Sequence, residues 1–285
     1  MQVAPRAPSK SAILTAASRA LHREESQPWV LDDPLAAGLA GEEGEAIIAE
    51  LRRKISNDEL MAFVHWVCIR ARLTEDVVER ELEQGAGQYV ILGAGLDSFA
   101  YRRPDLTDRL RVFEVDHPAS QEWKRRRLEA IGVKRQDNLV YCPVDFESES
   151  LVGALTRAGF DSDTRTTFSW IGVTMYLSVD AIRATLDAIG ASARGSAIAM
   201  TYNQPFDTLD AFSRGVTSSL ARVIGDMGER FVSFFTPSEA AALLRDAGYV
   251  DVEDFGGEEV FRKYFGDRND VKVAGAQRLI VARVP

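Results

Sequence analysis

Cysteine and histidine are scarce in this chain of 285 residues. The two cysteines, Cys68 and Cys142, stand in unrelated contexts. They form neither a disulfide framework nor a metal-ligand spacing, which leads us to expect a reducing, cytoplasmic setting. The three histidines, His22, His65 and His117, are scattered. No cluster of aspartates, histidines or cysteines resembles a catalytic metal site, so no metal is expected. Long apolar runs are also missing. No stretch is long enough to span a bilayer, and the opening "MQVAPRAPSK" lacks the apolar region of a signal peptide. Excess positive charge is absent as well. A net charge of −9 and a pI near 5.0 argue against nucleic acid or an anionic membrane as the main partner. The one basic run, Lys124–Arg127, reads as a solvated helix face. Internal repeats and low-complexity segments are lacking too.

What is present suits one large globular domain, or a domain with an added cap: 46% of residues are hydrophobic and 27% charged. Residues 9–83 read as helical. Ile13, Leu14, Ala17 and Leu21 share a helical face, and "LDDPLAAGL" is a turn leading into a short helix. Ser56 and Glu59 make a capping-box pattern ahead of Leu60, Phe63, Val64 and Val67. From Tyr89 the texture changes to alternation. Strands are expected at 89–92, 111–115, 139–144, 167–173, 196–202, 249–254 and 277–283. Helices are expected at 97–102, 118–131, 148–158, 180–193 and 237–247. The last is well marked, with Thr236 as cap, Pro237 at the first helical position, Glu239 three residues on and Gly248 at its end. Such alternation implies an α/β fold with a mainly parallel sheet covered on both faces. Residues 255–276 show no clear helix, so the last two strands are expected to pair antiparallel. This is the Rossmann-like plan of class I methyltransferases, with about seven strands. The division follows as a helical N-terminal cap, 1–84, and a Rossmann-like domain, 85–285. Residues 203–235 interrupt the alternation as a helical insert, read as a lid over the ligand crevice or as a structural bundle.

The loop after the first strand, "GAGLDS", has Gly93 and Gly95 but Ser98 where a dinucleotide fingerprint has its third glycine. Ligands of open α/β sheets bind outside the carboxyl ends of the strands. The first strand ends at Gly93-Ala94-Gly95, where glycine allows close approach of backbone to ligand. The second ends in "FEVDHP", placing Glu114 and Asp116 where an acid can bond ribose hydroxyls. The third ends in "CPVDFES", placing Asp145 and Phe146 beside an adenine. Each feature alone has a plain structural reading, as a turn glycine or a helix-capping acid. Three in register describe an adenosine ligand without a second phosphate-bearing half, which S-adenosylmethionine matches.

"VILGAGLDSFAYR", "VFEVDHPASQEWKRRRL", "VDFE" and "WIGVTMYL", in this order and spacing, resemble the leucine carboxyl methyltransferase family. They look most like its bacterial branch, which includes polyketide O-methyltransferases of secondary metabolism. "TAASRALHREESQPWVLDDPLAAGL" is similar too, so the resemblance covers roughly residues 10–205. It implies that Arg72, with Arg70 as the alternative, pairs with the methionine carboxylate of S-adenosylmethionine. It also implies that Gly93 and Gly95 line the amino-acid portion, that Asp116 holds the ribose and that Asp145 and Phe146 contact adenine. One departure stands out. Where the eukaryotic members carry a glutamate, this chain has Ile171, so acceptor contacts tied to that glutamate do not transfer.

The acceptor is less legible. Tyr176 and Tyr202, near strand ends, are the candidate catalytic residues, able to orient an acceptor oxygen or simply to pack. Arg19 could bind an acidic acceptor or lie at the surface. A carboxylate acceptor needs no base, whereas a phenol or alcohol benefits from one. His65 reads as a core residue and His117 as a helix cap. The expectation is O-methylation of a small-molecule carboxylate or acidic hydroxyl by a monomer or homodimer. Carboxyl methylation of a protein C-terminus is an alternative. So are a nicotinamide-dependent oxidoreductase and a non-catalytic binding protein. The oxidoreductase reading lacks support at Tyr176, which is followed by Asp180 where a short-chain enzyme would have lysine.

Overall fold

The structure, a computed structural model, describes residues 9–145, 149–226, 228–266 and 268–285. Seven strands form one sheet: β1 (Gln88–Leu92), β2 (Arg111–Asp116), β3 (Leu139–Pro143), β4 (Thr166–Trp170), β5 (Ala197–Asn203), β6 (Val250–Phe255) and β7 (Gln277–Arg283). Their order is β3-β2-β1-β4-β5-β7-β6. The first five pair parallel, β7 lies antiparallel between β5 and β6, and the order reverses between β1 and β4. The crevice expected at that switch point therefore opens above β1, β2 and β4. Strand β4 stops at Trp170, short of the expected 173, because the chain turns out at Gly172 with φ +74°.

The helices are α1 (Lys10–Glu25), α2 (Ala36–Lys54), α3 (Asn57–Glu83), α4 (Phe99–Arg102), α5 (Pro118–Ala130), α6 (Leu151–Arg157), α7 (Val179–Gly190), α8 (Ala211–Asp226), α9 (Pro237–Asp246) and α10 (Gly257–Phe265). Both capping boxes form: Ser56 and Glu59 close the start of α3, and Thr236 and Glu239 that of α9. Each satisfies two amide groups that the first helical turn leaves without partners. Helix α10 lies within 255–276, where none was expected. Glu258 and Glu259 in its first turn and Arg262 and Lys263 in its last complement the helix dipole, while Val260 and Phe265 are buried. The antiparallel pairing of β6 and β7 holds although a helix joins them.

Two layers cover the sheet. On one face Ile182 and Leu186 of α7 and Leu243 and Leu244 of α9 pack with Val90, Phe113, Phe168 and Ile198. On the other, Ile13 and Ala17 of α1 and Leu39 of α2 meet Tyr89, Ile91 and Val112. Trp66, Ile69 and Leu73 of α3 meet Ala199, Leu279 and Val281 there, with α10 alongside. The helices of the N-terminal segment thus share one core with the sheet. After β5 the insert carries α8, whose Val216, Leu220 and Val223 pack on Leu60 and Val64 of α3. The returning chain is tied down at Phe235, which donates its N–H to the Asn203 carbonyl at 2.9 Å, and at Val232, which donates to Met175 at 2.7 Å.

Candidate active site

A cavity of about 570 Å³ opens at the carboxyl ends of β1, β2 and β4. That size suits a ligand of cofactor dimensions. Its floor is the Gly93-Ala94-Gly95 turn. Gly93 has φ +67°, and a Cβ there would lie 2.5 Å from Val173 Cγ2, so only glycine fits without displacing the β4 loop. The N–H groups of Gly93 and Ala94 both donate to the Val115 carbonyl, at 2.9 and 3.1 Å. Asp116 fixes the other side of the turn. One of its carboxylate oxygens accepts from the Gly95 N–H at 2.5 Å and the other from the His117 N–H at 2.6 Å. The acid is therefore held rigidly at the cavity wall, with lone pairs left for hydroxyl donors.

Ser98, in the position of the absent third glycine, is buried and supports the turn from below. Its hydroxyl donates to Asp33 Oδ2 at 2.6 Å and accepts from Arg102 Nε at 2.8 Å. Asp33 also accepts from Arg19 Nε at 2.8 Å, while Arg19 Nη2 donates to the Leu96 carbonyl at 2.7 Å. Burial would raise the Asp33 pKa, but Arg19 and Arg102 outweigh it and hold the carboxyl below its ordinary value. Arg102 pairs in turn with Glu75, whose burial dominates and raises its pKa. Arg19 lines the cavity with its charge already paired. This network was not legible in the sequence: Asp33 read only as a turn residue and Arg19 as a surface or acceptor-binding group.

The arginine in the wall is Arg70. Arg72, two residues on, is rotated by about 200° around α3. It points outward, where Nε donates to Asp76 at 2.8 Å and the side chain is 42% exposed. It is not among the residues lining the cavity, whereas its alternative, Arg70, is. Arg70 is buried beneath Gly172, where a Cβ would sit 3.0 Å from its Nη2. Its Nη1 donates to Gln277 Oε1 at 2.6 Å. Among the described residues no carboxylate pairs with it. Burial pushes its pKa down to about 10, which still leaves the guanidinium charged at neutral pH. A buried cation without a counter-ion is costly, and a ligand carboxylate would complement it.

The remaining candidates divide. Tyr176 lines the cavity, its pKa raised to about 12 by burial and by the nearby Glu229. Tyr202 does not reach the cavity. Side chains alternate along β5, and Tyr202 falls on the opposite face, where its hydroxyl donates to Asp254 Oδ2 at 3.0 Å. Its candidacy as a catalytic residue is therefore withdrawn. Asp145 is half-buried just after β3 and is not among the described residues lining the cavity. Phe146 lies outside the described residues. None of the three histidines lines the cavity. His117 caps α5 by accepting from the Ala119 N–H at 3.2 Å. Among the described residues no group of three or more His, Cys, Asp or Glu is placed to hold a metal, and no helix is long and apolar enough to cross a membrane.

The cavity is also lined by the apolar side chains of Leu14, Phe63, Val67, Met175, Ile224 and Phe231, with Glu229 near Phe231 in sequence. Ile224, Glu229, Arg230 and Phe231 belong to the insert, expected from sequence either to cover the ligand crevice or to form a structural bundle; which of its residues would line the cavity was not foreseen. The Ser11 N–H donates to Glu229 Oε1 at 3.3 Å, joining the start of α1 to the insert, and both residues line the cavity.

Comparison with known proteins agrees with this geometry. A protein of Bacillus subtilis (strain 168) named as an S-adenosyl-L-methionine-dependent methyltransferase, YktD, is 30% identical over 285 residues, covering 92% of this chain and 93% of its own. One of Mycobacterium marinum, similarly named, is 34% identical over 200 residues, covering 68% and 65%. Two solved structures share the fold. One is from Thermobifida fusca YX, named as a methyltransferase, with TM-score 0.64, 18% identity and coverage of 97% and 94%. The other is a DUF574 family protein of Streptomyces avermitilis, with TM-score 0.65, 13% identity and coverage of 98% of both chains. The class is that of S-adenosylmethionine-dependent methyltransferases. Within it, the leucine carboxyl methyltransferase model matches residues 12–190, and the chain belongs to that family. The nicotinamide alternative is set aside accordingly.

The residues present fit this cofactor. The glycine turn gives backbone access, Asp116 offers acceptors for ribose hydroxyls, and Arg70 meets the need of an α-carboxylate. When bound, S-adenosylmethionine supplies an electrophilic methyl group on a sulfonium.

Proposed function

We propose that this methyltransferase acts on an oxygen of a small-molecule acceptor, a carboxylate or an acidic hydroxyl. The observation that carries the reading is the part of the cavity lining where apolar side chains from α1, α3 and the insert accompany Tyr176 and the nearby Glu229. Apolar walls exclude water and hold the body of an acceptor, and a few polar groups orient its reacting atom. Roofing by α1 and the insert supports a small molecule over a protein C-terminus. Of the two acceptor types, a hydroxyl matches Glu229 better. A carboxylate side chain accepts a bond, and finally a proton, from a hydroxyl, whereas an acceptor carboxylate meets like charge.

The test is a panel of small carboxylates, phenols and aliphatic amines offered with methyl-labelled S-adenosylmethionine, with EDTA in a parallel series. Label transferred to oxygen, undiminished by EDTA, is the expected outcome. Turnover confined to amines, or abolished by chelation, refutes the O-methylation reading while leaving the cofactor in place.

A further inference from the structure

From the hydrogen bonds around Arg70 we infer that Gln277, at the start of β7, is the positioning residue that holds this guanidinium ready for the cofactor's carboxylate. It lies far outside the segment that carries the family likeness, residues 12–190. Its side-chain oxygen accepts from two donors at once, Arg70 Nη1 at 2.6 Å and Trp66 Nε1 at 2.9 Å. Its side-chain nitrogen donates to Asn203 Oδ1 at 3.0 Å. Two donors on one atom and an acceptor on the other leave the amide a single orientation. Among the described residues Gln277 Oε1 is the only acceptor for the Arg70 side chain. Being neutral, the amide fixes the arginine without cancelling its charge. An acidic side chain at the same place would satisfy the same donors but neutralise the cation in a low-dielectric wall, where charge pairs interact strongly. The amide also reaches the root of the insert. Asn203 is the last residue of β5, and its carbonyl accepts the Phe235 N–H where the insert returns. The carboxylate site and the acceptor roof therefore hang from one hydrogen-bonded chain, Arg70–Gln277–Asn203–Phe235.

The inference rests on Arg70 facing the cofactor's carboxylate, so the experiment separates the two claims. Isothermal calorimetry would compare S-adenosylhomocysteine with 5′-methylthioadenosine, which lacks the amino-acid portion, on the wild type and on Arg70→Ala, Gln277→Leu and Gln277→Glu. Arg70→Ala tests the carboxylate reading itself. It should weaken S-adenosylhomocysteine by about tenfold or more and leave 5′-methylthioadenosine nearly unchanged. Gln277→Leu should give the same selective loss because the guanidinium is no longer held. Gln277→Glu keeps an acceptor for both Arg70 and Trp66, so it remains informative if the leucine variant does not fold. It too should lose S-adenosylhomocysteine selectively, by about tenfold or more, because the carboxylate site is already neutralised. If Arg70→Ala is selective but both Gln277 variants bind the two ligands like the wild type, Gln277 is not a positioning residue. Equal losses for both ligands in the Gln277 variants would show that it only supports the fold. If Arg70→Ala itself is not selective, the carboxylate assignment fails and the inference falls with it.

Discussion

Single residues two positions apart on one helix have opposite fates here. Arg70 is buried in the cavity wall, while Arg72 sits on the outer face of α3 with Asp76. Motif similarity locates the segment, and helical rotation decides which arginine lines the cavity. Arg72→Ala should accordingly change S-adenosylhomocysteine affinity by less than about threefold, since a half-exposed pair of this kind contributes little. A loss as large as that of Arg70→Ala would show that Arg72 turns inward when ligand binds. Asp116 should behave differently from both. If it holds the ribose hydroxyls, as proposed from the end of β2, Asp116→Ala should weaken S-adenosylhomocysteine and 5′-methylthioadenosine alike, by roughly 10- to 100-fold. Calorimetry showing unchanged affinity would refute the ribose assignment.

Among the elements, the insert between β5 and α9 is the least legible in sequence and the most consequential for the acceptor. It lacks the strand-helix alternation that marks the rest, so nothing local says where α8 docks. Its position comes from Val216, Leu220 and Val223 meeting α3, and from the bonds at Val232 and Phe235. That docking delivers Glu229 to Tyr176. If Glu229 takes the proton of a hydroxyl acceptor, Glu229→Gln should lower kcat for phenols by about 10²- to 10⁴-fold, the range for removal of a general base. S-adenosylhomocysteine affinity should stay the same. Carboxylate acceptors, which need no base, should be unaffected or improved. A glutamine variant that methylates phenols at the wild-type rate would rule out proton transfer to Glu229. Helix α10 was missed for a different reason: nine residues are too few for a firm periodicity, and only the ordering of acids before bases marked it.

For the molecule as a whole, the shared core of α1, α2 and α3 with the sheet ties stability to a buried histidine. His22 on α1 is fully buried. Its Nε2 accepts the Val30 N–H at 3.0 Å, which requires a neutral ring. Burial, with His65 nearby, depresses its pKa from 6.5 to about 4. The unfolded chain therefore binds a proton in the window between these values while the folded protein does not. Stability contributed by neutral His22 is fully present above about pH 6.5 and is lost as pH falls toward 4, by about 3 kcal/mol at most. His65, also lowered chiefly by burial, acts in the same direction. Urea unfolding followed between pH 7 and pH 4 should show this fall, and His22→Gln, which retains an acceptor without titrating in this range, should flatten it. An equally steep fall in the variant would place the acid sensitivity elsewhere.

The α/β class, the strand ends that carry Gly93 and Asp116, both capping boxes and the family were all determined by the sequence alone. Each rests on spacing along the chain, and strand and helix periods convert spacing directly into faces and ends. Which side chains share the cavity was decided only by tertiary structure. Arg70 and Gln277 are 207 residues apart, as are Trp66 and Gln277 at 211, and Ser11 and Glu229 at 218. No local pattern relates such residues. Tyr202 was lost from the site because β5 places successive side chains on opposite faces, and the face that met the cavity was set by the packing of α3 against the sheet. The buried charges Asp33, Arg19 and Glu75 look like surface residues in isolation. They become interior only because each finds its counter-ion or hydrogen-bond partner in another element.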